Sequence, residues 1–348
     1  MGAKLQHIIY NEWLPIVLGS EATAKYDLVP RKTGYYHGYD DKCDATMSHE
    51  IATAAFRFGH TLVRNVFPRM NPKYQKKADG LDLKTSFINV TFYYTSETGH
   101  IESIIMGLLG SHCMAFDRHI SDAIRNHLFQ LADPYTGMDL PALNIQRGRD
   151  HGIPPYNSYR EMCEMQRARN FDDLGDVMDK QTIVALQSVY NHVDDIDLFT
   201  GLMSERPIKG ALVGPMLICI IGEHFQRLKR CDRFYYENDY PAIKFTPDQL
   251  AEIRKTTLSK LICSNSEYAH NIQPNAFLMP DDLTNAPMKC SELAEIDIYK
   301  WLDQQFCTVD NRTIQMGKTE RVKPCIMCTC TAEGVCLKYS SRMSCDGD

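Results

Sequence analysis

A mainly α-helical fold carrying a small disulfide-rich β tail is what this 348-residue sequence predicts. Three observations lead there. Apolar residues recur at helical spacing through most of residues 1–300, with one clear run of strand character. The hydrophobic share of 44% against a charged share of 24% is that of an ordinary packed core, which excludes bulk disorder. The 13 cysteines divide unevenly, seven in residues 1–306 and six in the last 42, so a normal globular domain is followed by a module that needs covalent staples or a metal.

The elements follow in order. LQHIIYNEWLPIVLG at 5–19 reads as an apolar helix. Ser48 can cap a helix over 48–63, whose apolar positions Ile51, Ala54, Ala55, Phe58, Leu62 and Val63 share a face, and Pro68 ends that segment. TSFINVTFYY at 85–94 is the predicted strand. Amphipathic stretches follow at 102–109 and 120–131. Asp139 with Pro141 predicts a capped helix start, broken by Gly148, Gly152, Pro154 and Pro155. Helices are predicted at 157–167, 181–190, 211–229 and 247–262. Residues 264–306, polar and rich in Asn and Pro, read as a loop-rich wrap, giving a domain of residues 1–306 and a tail of 307–348.

Net charge is −6, which gives no electrostatic reason to expect a nucleic acid as partner. The longest apolar stretch, around 212–221, is too short to span a bilayer. No HExxH, P-loop, G-x-S-x-G or G-x-G-x-x-G is present. No signal peptide is visible, and Gln6 breaks the myristoylation pattern. The sequons at Asn89 and Asn311 together with the cysteine-dense tail nevertheless fit an oxidising, secretory compartment, so the front end of a longer protein is expected upstream.

Two segments carry candidate chemistry. In AAFRFGHTLV, His60 lies three residues after Arg57, and Gly59 beside it would let a flat ligand approach the backbone. His60 reads either as a core histidine bonded to a carbonyl or as an axial haem ligand with Arg57 on a propionate. In LPALNIQRGRDHGIPPYNSYR, Asn144, Arg147, Arg149, Asp150 and His151 crowd a helix-to-loop junction, which reads as a salt-bridge knot or as a site. The acidic run Asp194-Asp195-Ile196-Asp197 lacks the glycine and distal glutamate of a calcium loop and reads as a solvated turn.

These segments resemble the two signature segments of the animal haem peroxidases, and LQHIIYNEWLPIVLG, VGPMLICIIGEHFQRLKRCDRFYYEN and LSKLICSNS extend the resemblance over about residues 4–306. The resemblance implies that family's helical fold, here incomplete at its N-terminal side. It implies haem b, with covalent linkage left open, and hydrogen peroxide with small electron donors as substrates. His60 matches the proximal iron ligand, Asn144 the residue whose side-chain oxygen accepts the imidazole N–H, and Arg57 and Arg147 the arginines near the propionates. Cys163 with Cys219 and Cys263 with Cys290 match family disulfides; Cys113 with Cys231 is a further candidate pair, leaving Cys43. The family's distal histidine, distal arginine and calcium loop all belong upstream of residue 1, so no distal residue is assigned here and weak turnover of the isolated chain is expected. A non-catalytic haem-binding or matrix-interaction fragment is the competing reading.

The tail cysteines, Cys307, Cys325, Cys328, Cys330, Cys336 and Cys345, resemble the start of a von Willebrand factor type C module, cut short at Asp348. With the preceding domain this implies a peroxidasin-like, extracellular protein with matrix partners. A zinc knuckle at Cys325 and Cys328 is the alternative.

Overall fold

The structure, a computed structural model, describes residues 1–94, 99–131, 136–302, 306–310, 312–331 and 334–340. It divides into two compact units, Met1–Glu295 and Ile296–Asp348.

The first unit opens on α1 (Gly2–Ile8), one π-helical turn (Ile9–Trp13) and α2 (Leu14–Lys25). The predicted helix is therefore longer than 5–19, and it kinks at Gly19, where φ is +82°. A side chain there would press on the Gly210 carbonyl at 3.0 Å, so only glycine lets the two stretches of chain touch. The predicted 48–63 helix divides into α3 (His49–Thr53) and a 3₁₀ segment (Ala55–Leu62). Ser48 occupies the N-cap position without a side-chain cap bond.

The strand prediction at 85–94 is corrected. The hairpin is built instead from β1 (Val66–Met70) and β2 (Lys76–Asp82), and Pro68 lies inside β1. Residues 83–94 form turns and 3₁₀ segments, because Asp82 accepts from the Lys84 amide and Asn89 Oδ1 accepts from the Thr91 amide. Such local side-chain bonds compete with a sheet ladder. The helix α4 (His100–Leu109) lies so close to β1 that a Cβ on Gly107 would sit 1.7 Å from the Pro68 carbonyl oxygen.

The stretch 120–131 keeps only one turn, α5 (Asp122–Arg125). Then come α6 (Leu140–Asp150), α7 (Tyr156–Met162), α8 (Lys180–Gln187), α9 (Leu198–Ser204) and α10 (Pro215–Cys231). Asp139 caps α6 by accepting from the Ala142 amide at 3.0 Å, as its sequence position predicts. The unpredicted α9, LFTGLMS, is buried along nearly its whole length, so it shows no polar face to give a helical period. The predicted 247–262 helix is two, α11 (Pro247–Ile253) and α12 (Leu258–Asn265), with Thr257 capping the second. The loop-rich wrap contains a two-residue pairing, β3 (Asn271–Ile272) with β4 (Met288–Lys289).

A large core holds most of this unit, and a smaller cluster of Met106, Leu109, Ala269 and Ile272 lies beside α4. Leu14, Val17 and Leu18 of α2, Ile51 and Phe58, Leu202 of α9, and Met216, Leu217 and Ile221 of α10 all belong to the large core. Burial of such side chains is the main stabilising contribution. Three disulfides add to it: Cys163–Cys219, Cys263–Cys290 and Cys43–Cys231. The proposed Cys113–Cys231 pair is thus corrected. Cys231, at the end of α10, lies within disulfide reach of the 26–48 loop, at a Cα separation of 5.2 Å from Cys43, and Cys113 is an exposed free thiol.

The second unit pairs β5 (Phe306–Val309) with β6 (Arg312–Gln315), and β7 (Thr319–Lys323), β8 (Ile326–Cys330) and β9 (Cys336–Ser340) form an antiparallel sheet. Its core is Cys307, Val309, Ile314, Val322, Cys328 and Cys330. Cys307–Cys330 ties the hairpin to the sheet, Cys328–Cys336 ties β8 to β9, and Cys325 is also disulfide-bonded. Cysteines held in disulfides cannot serve as zinc thiolates, which removes the knuckle reading. Asn311 and Cys345 lie outside the described residues.

Candidate functional site

The 3₁₀ segment makes the site. At three residues per turn, positions i and i+3 eclipse, so Arg57 and His60 stack directly on one edge. Against that edge runs α6, which presents Asn144, fully buried. Arg57 Nη1 donates to Asn144 Oδ1 at 2.8 Å, and Asn144 Nδ2 lies 2.9 Å from His60 Nδ1. The three residues singled out in sequence segments 84 positions apart are therefore one hydrogen-bonded triad.

The direction of the His60 bond differs from the expectation. The Arg57 guanidinium has only donors, so it claims the amide oxygen. The amide then turns its NH₂ to His60, making Nδ1 the acceptor and placing the imidazole proton on Nε2. Burial, and then the Arg57 charge, push the His60 pKa below its ordinary value, so the ring is neutral at pH 7. Nε2 has no hydrogen bond among the described residues.

Arg57 also donates from Nε to the Ala52 carbonyl at 3.1 Å, which fixes its fork. Its own pKa is lowered by burial and then by the charge of Arg147. Neither Arg57 nor Arg147 has a carboxylate partner among the described residues. The remaining residues of the 140–160 knot are structural. Arg149 grips Asp197 with two bonds of 2.9 and 2.6 Å, Gln146 donates to Asp150, and His151 Nδ1 lies 3.0 Å from the Arg147 carbonyl. The acidic run is equally committed to protein donors. Asp194 accepts from Asn157 and Arg167, Asp195 caps the His192 amide, and Asp197 takes Arg149 and Tyr190.

Sequence reasoning missed the aromatic shelf behind the triad. Phe56 and Phe58, flanking Arg57, pack on Trp13 at 5.8 and 6.3 Å between ring centroids. The signal was Trp13 in the first apolar helix, but nothing in sequence says which residues it meets.

Residues 1–277 match the family model described as animal haem peroxidase. The chain belongs to the animal haem peroxidase family. It is 36% identical over 300 residues to heme peroxidase 2 of Caenorhabditis elegans, covering 85% of this chain and 41% of that protein. It is 36% identical over 317 residues to the peroxidasin homolog of Homo sapiens, covering 90% and 20%. Among solved structures, peroxidase A of Dictyostelium discoideum superposes with a TM-score of 0.64 at 32% identity, covering 79% of this chain and 49% of that one. The chain thus spans less than half the length of these relatives. The family implies haem.

The residues present fit such a group. His60 offers a neutral imidazole whose Nε2 would bind a metal once the ring proton sits on Nδ1, with the Asn144 amide turned so that its oxygen accepts it. A Cβ added to Gly59 or to Gly148 would meet nothing within 4 Å, so the backbone on both sides of the triad is open to a large flat ligand. Phe56 and Leu143, each about two-fifths exposed, supply apolar surface beside it. Two unneutralised guanidiniums suit a pair of carboxylates. Among the described residues no helix is long and apolar enough to cross a membrane.

Proposed function

We propose that this chain is the proximal part of an extracellular, peroxidasin-like haem peroxidase that uses hydrogen peroxide to oxidise electron donors. The observation that carries this is the Arg57–Asn144–His60 triad, which presents a neutral histidine to an open face. His60 would hold the iron through Nε2, and Arg57 and Arg147 would hold the propionates. Bound there, haem supplies the oxidising equivalents that peroxide delivers.

The chain's own contribution is electronic and positional. Asn144 fixes the ring plane of His60, and with its amide oxygen turned to accept from Nδ1–H it would raise how strongly Nε2 donates to a metal. Arg57 fixes Asn144 in turn, so anion binding and ligand orientation share one side chain. No residue of this chain is assigned the distal acid–base role. Disulfides in both units support an oxidising compartment. The second unit is proposed as the von Willebrand factor type C-like module, with matrix proteins as partners, on the strength of its cysteine order and its strand tail. Asn89 is proposed to carry an N-linked glycan: it is exposed, and its Oδ1 accepts from both the amide and the hydroxyl of Thr91.

Haem titration of the chain tests the reading. A Soret band that forms with wild type and is lost in His60→Ala, with unchanged circular dichroism, is expected. Equal Soret intensity in the two proteins overturns the assignment of His60.

A further inference from the structure

Tyr236 and His7 form an isolated buried pair remote in sequence from the triad. The Tyr236 hydroxyl lies 2.8 Å from His7 Nδ1, and the two residues are 2% and 3% exposed. Gln6 Oε1 accepts from the Tyr236 amide at 3.0 Å, so two consecutive residues of α1 clamp the tyrosine. His7 Nε2 is buried without a full hydrogen bond, turned toward the Arg254 carbonyl, which favours the tautomer protonated at Nε2. Nδ1 is then the acceptor and the phenol the donor.

An aromatic column joins this pair to the site. Phe58 packs on Trp13 at 6.3 Å, Trp13 on Phe225 at 6.3 Å, Phe225 on Tyr10 at 5.8 Å, Tyr10 on Tyr235 at 5.2 Å and Tyr235 on Tyr236 at 5.0 Å. Three tyrosines lie along it, and their proton acceptors differ. Tyr10 donates to the Phe225 carbonyl, which cannot take a proton. Tyr235 donates to Glu237, a carboxylate already gripped by Arg254. Tyr236 alone of the three faces a neutral imidazole, one that burial pulls down to a pKa of about 4 and so keeps empty of its second proton. Burial and the Glu237 charge raise the Tyr236 phenol, so it does not ionise by itself.

We propose that Tyr236 and His7 are a redox-active tyrosine–histidine pair that stores an oxidising equivalent generated at the His60 site. The proposal rests on the peroxidase reading of that site. One electron leaves the Tyr236 ring for a peroxide-derived oxidant at His60. The Oη–H bond breaks, and its proton passes to His7 Nδ1, leaving a neutral phenoxyl radical beside an imidazolium. A one-electron donor such as a phenol later returns the electron, and His7 returns the proton.

Two arms test this on the full chain. In the first, without haem, tris(bipyridyl)ruthenium(II) with persulfate is flashed and phenoxyl radicals are followed by electron paramagnetic resonance. A long-lived signal is expected in wild type, lost in Tyr236→Phe and shortened in His7→Gln, which keeps a hydrogen-bond acceptor but takes no proton. Survival of that signal in Tyr236→Phe overturns the pair. In the second, the haem-loaded chain is frozen after peroxide addition. A chain that shows a Soret band and consumes peroxide yet gives no Tyr236 signal overturns the transfer. A chain with no Soret band fails the haem reading instead, and the first arm then decides the pair.

Discussion

The two units reach stability by opposite means. The helical unit buries a continuous core from α2 through α10, and its three disulfides join parts that already pack. Among its described residues the tail's core holds six, three of them cysteines. A core that small cannot offset the chain entropy lost on ordering the strands, so cross-linking of the unfolded state must supply the difference. The helical unit can therefore afford an open, unneutralised site, whereas the tail has no stability to spare for one.

The sharpest way to break this comparison is reduction. Excess dithiothreitol is expected to unfold the tail while the helical circular dichroism largely survives. Limited trypsin digestion reads it out, with cleavage at Lys318, Arg321 and Lys323 preceding any cut in the helical core. Persistence of the tail under reductant would contradict the account.

Next in size, Leu202→Ala should cost about 2–5 kcal/mol, because Leu202 is fully buried in α9 and its loss leaves a cavity. Urea unfolding of the helical signal measures it, and the tail's reductive unfolding should not move.

A smaller effect tests a buried polar point inside the same core. Glu205 accepts from Tyr156 at 2.6 Å and from the Met216 amide at 2.9 Å, at the start of α10. Burial pushes its pKa from 4.5 up to about 7. A raised carboxyl pKa means the folded state holds its proton longer than the unfolded one. The stability contribution is fully present below pH 4.5 and is lost as pH rises to about 7, by up to about 3 kcal/mol. Glu205→Gln should flatten that slope in chemical denaturation series taken across this range. An unchanged slope would place the pH dependence elsewhere.

The legible and illegible parts of this molecule divide along physical lines. Long amphipathic helices and capped starts such as Asp139 were readable, since period and cap are local properties. The triad members were readable because two segments keep their motif. The hairpin of residues 66–82 was not, because KKADGLD has no strand composition, and the apolar run after it is captured by Asp82 and Asn89 side-chain bonds. The Cys43–Cys231 pair was not, since 188 residues separate its halves. The direction of the Asn144 bond was not, because it depends on Arg57 reaching the oxygen first.

That last point defines the metal-free state of the site, and it can be measured directly. Two-dimensional ¹⁵N–¹H spectra of the histidine-labelled, haem-free chain report the tautomer and pKa of His60. The account predicts the Nε2–H tautomer, with Nδ1 unprotonated and a pKa below 6.5. An Nδ1–H tautomer, or an imidazolium persisting above that pH, would contradict it.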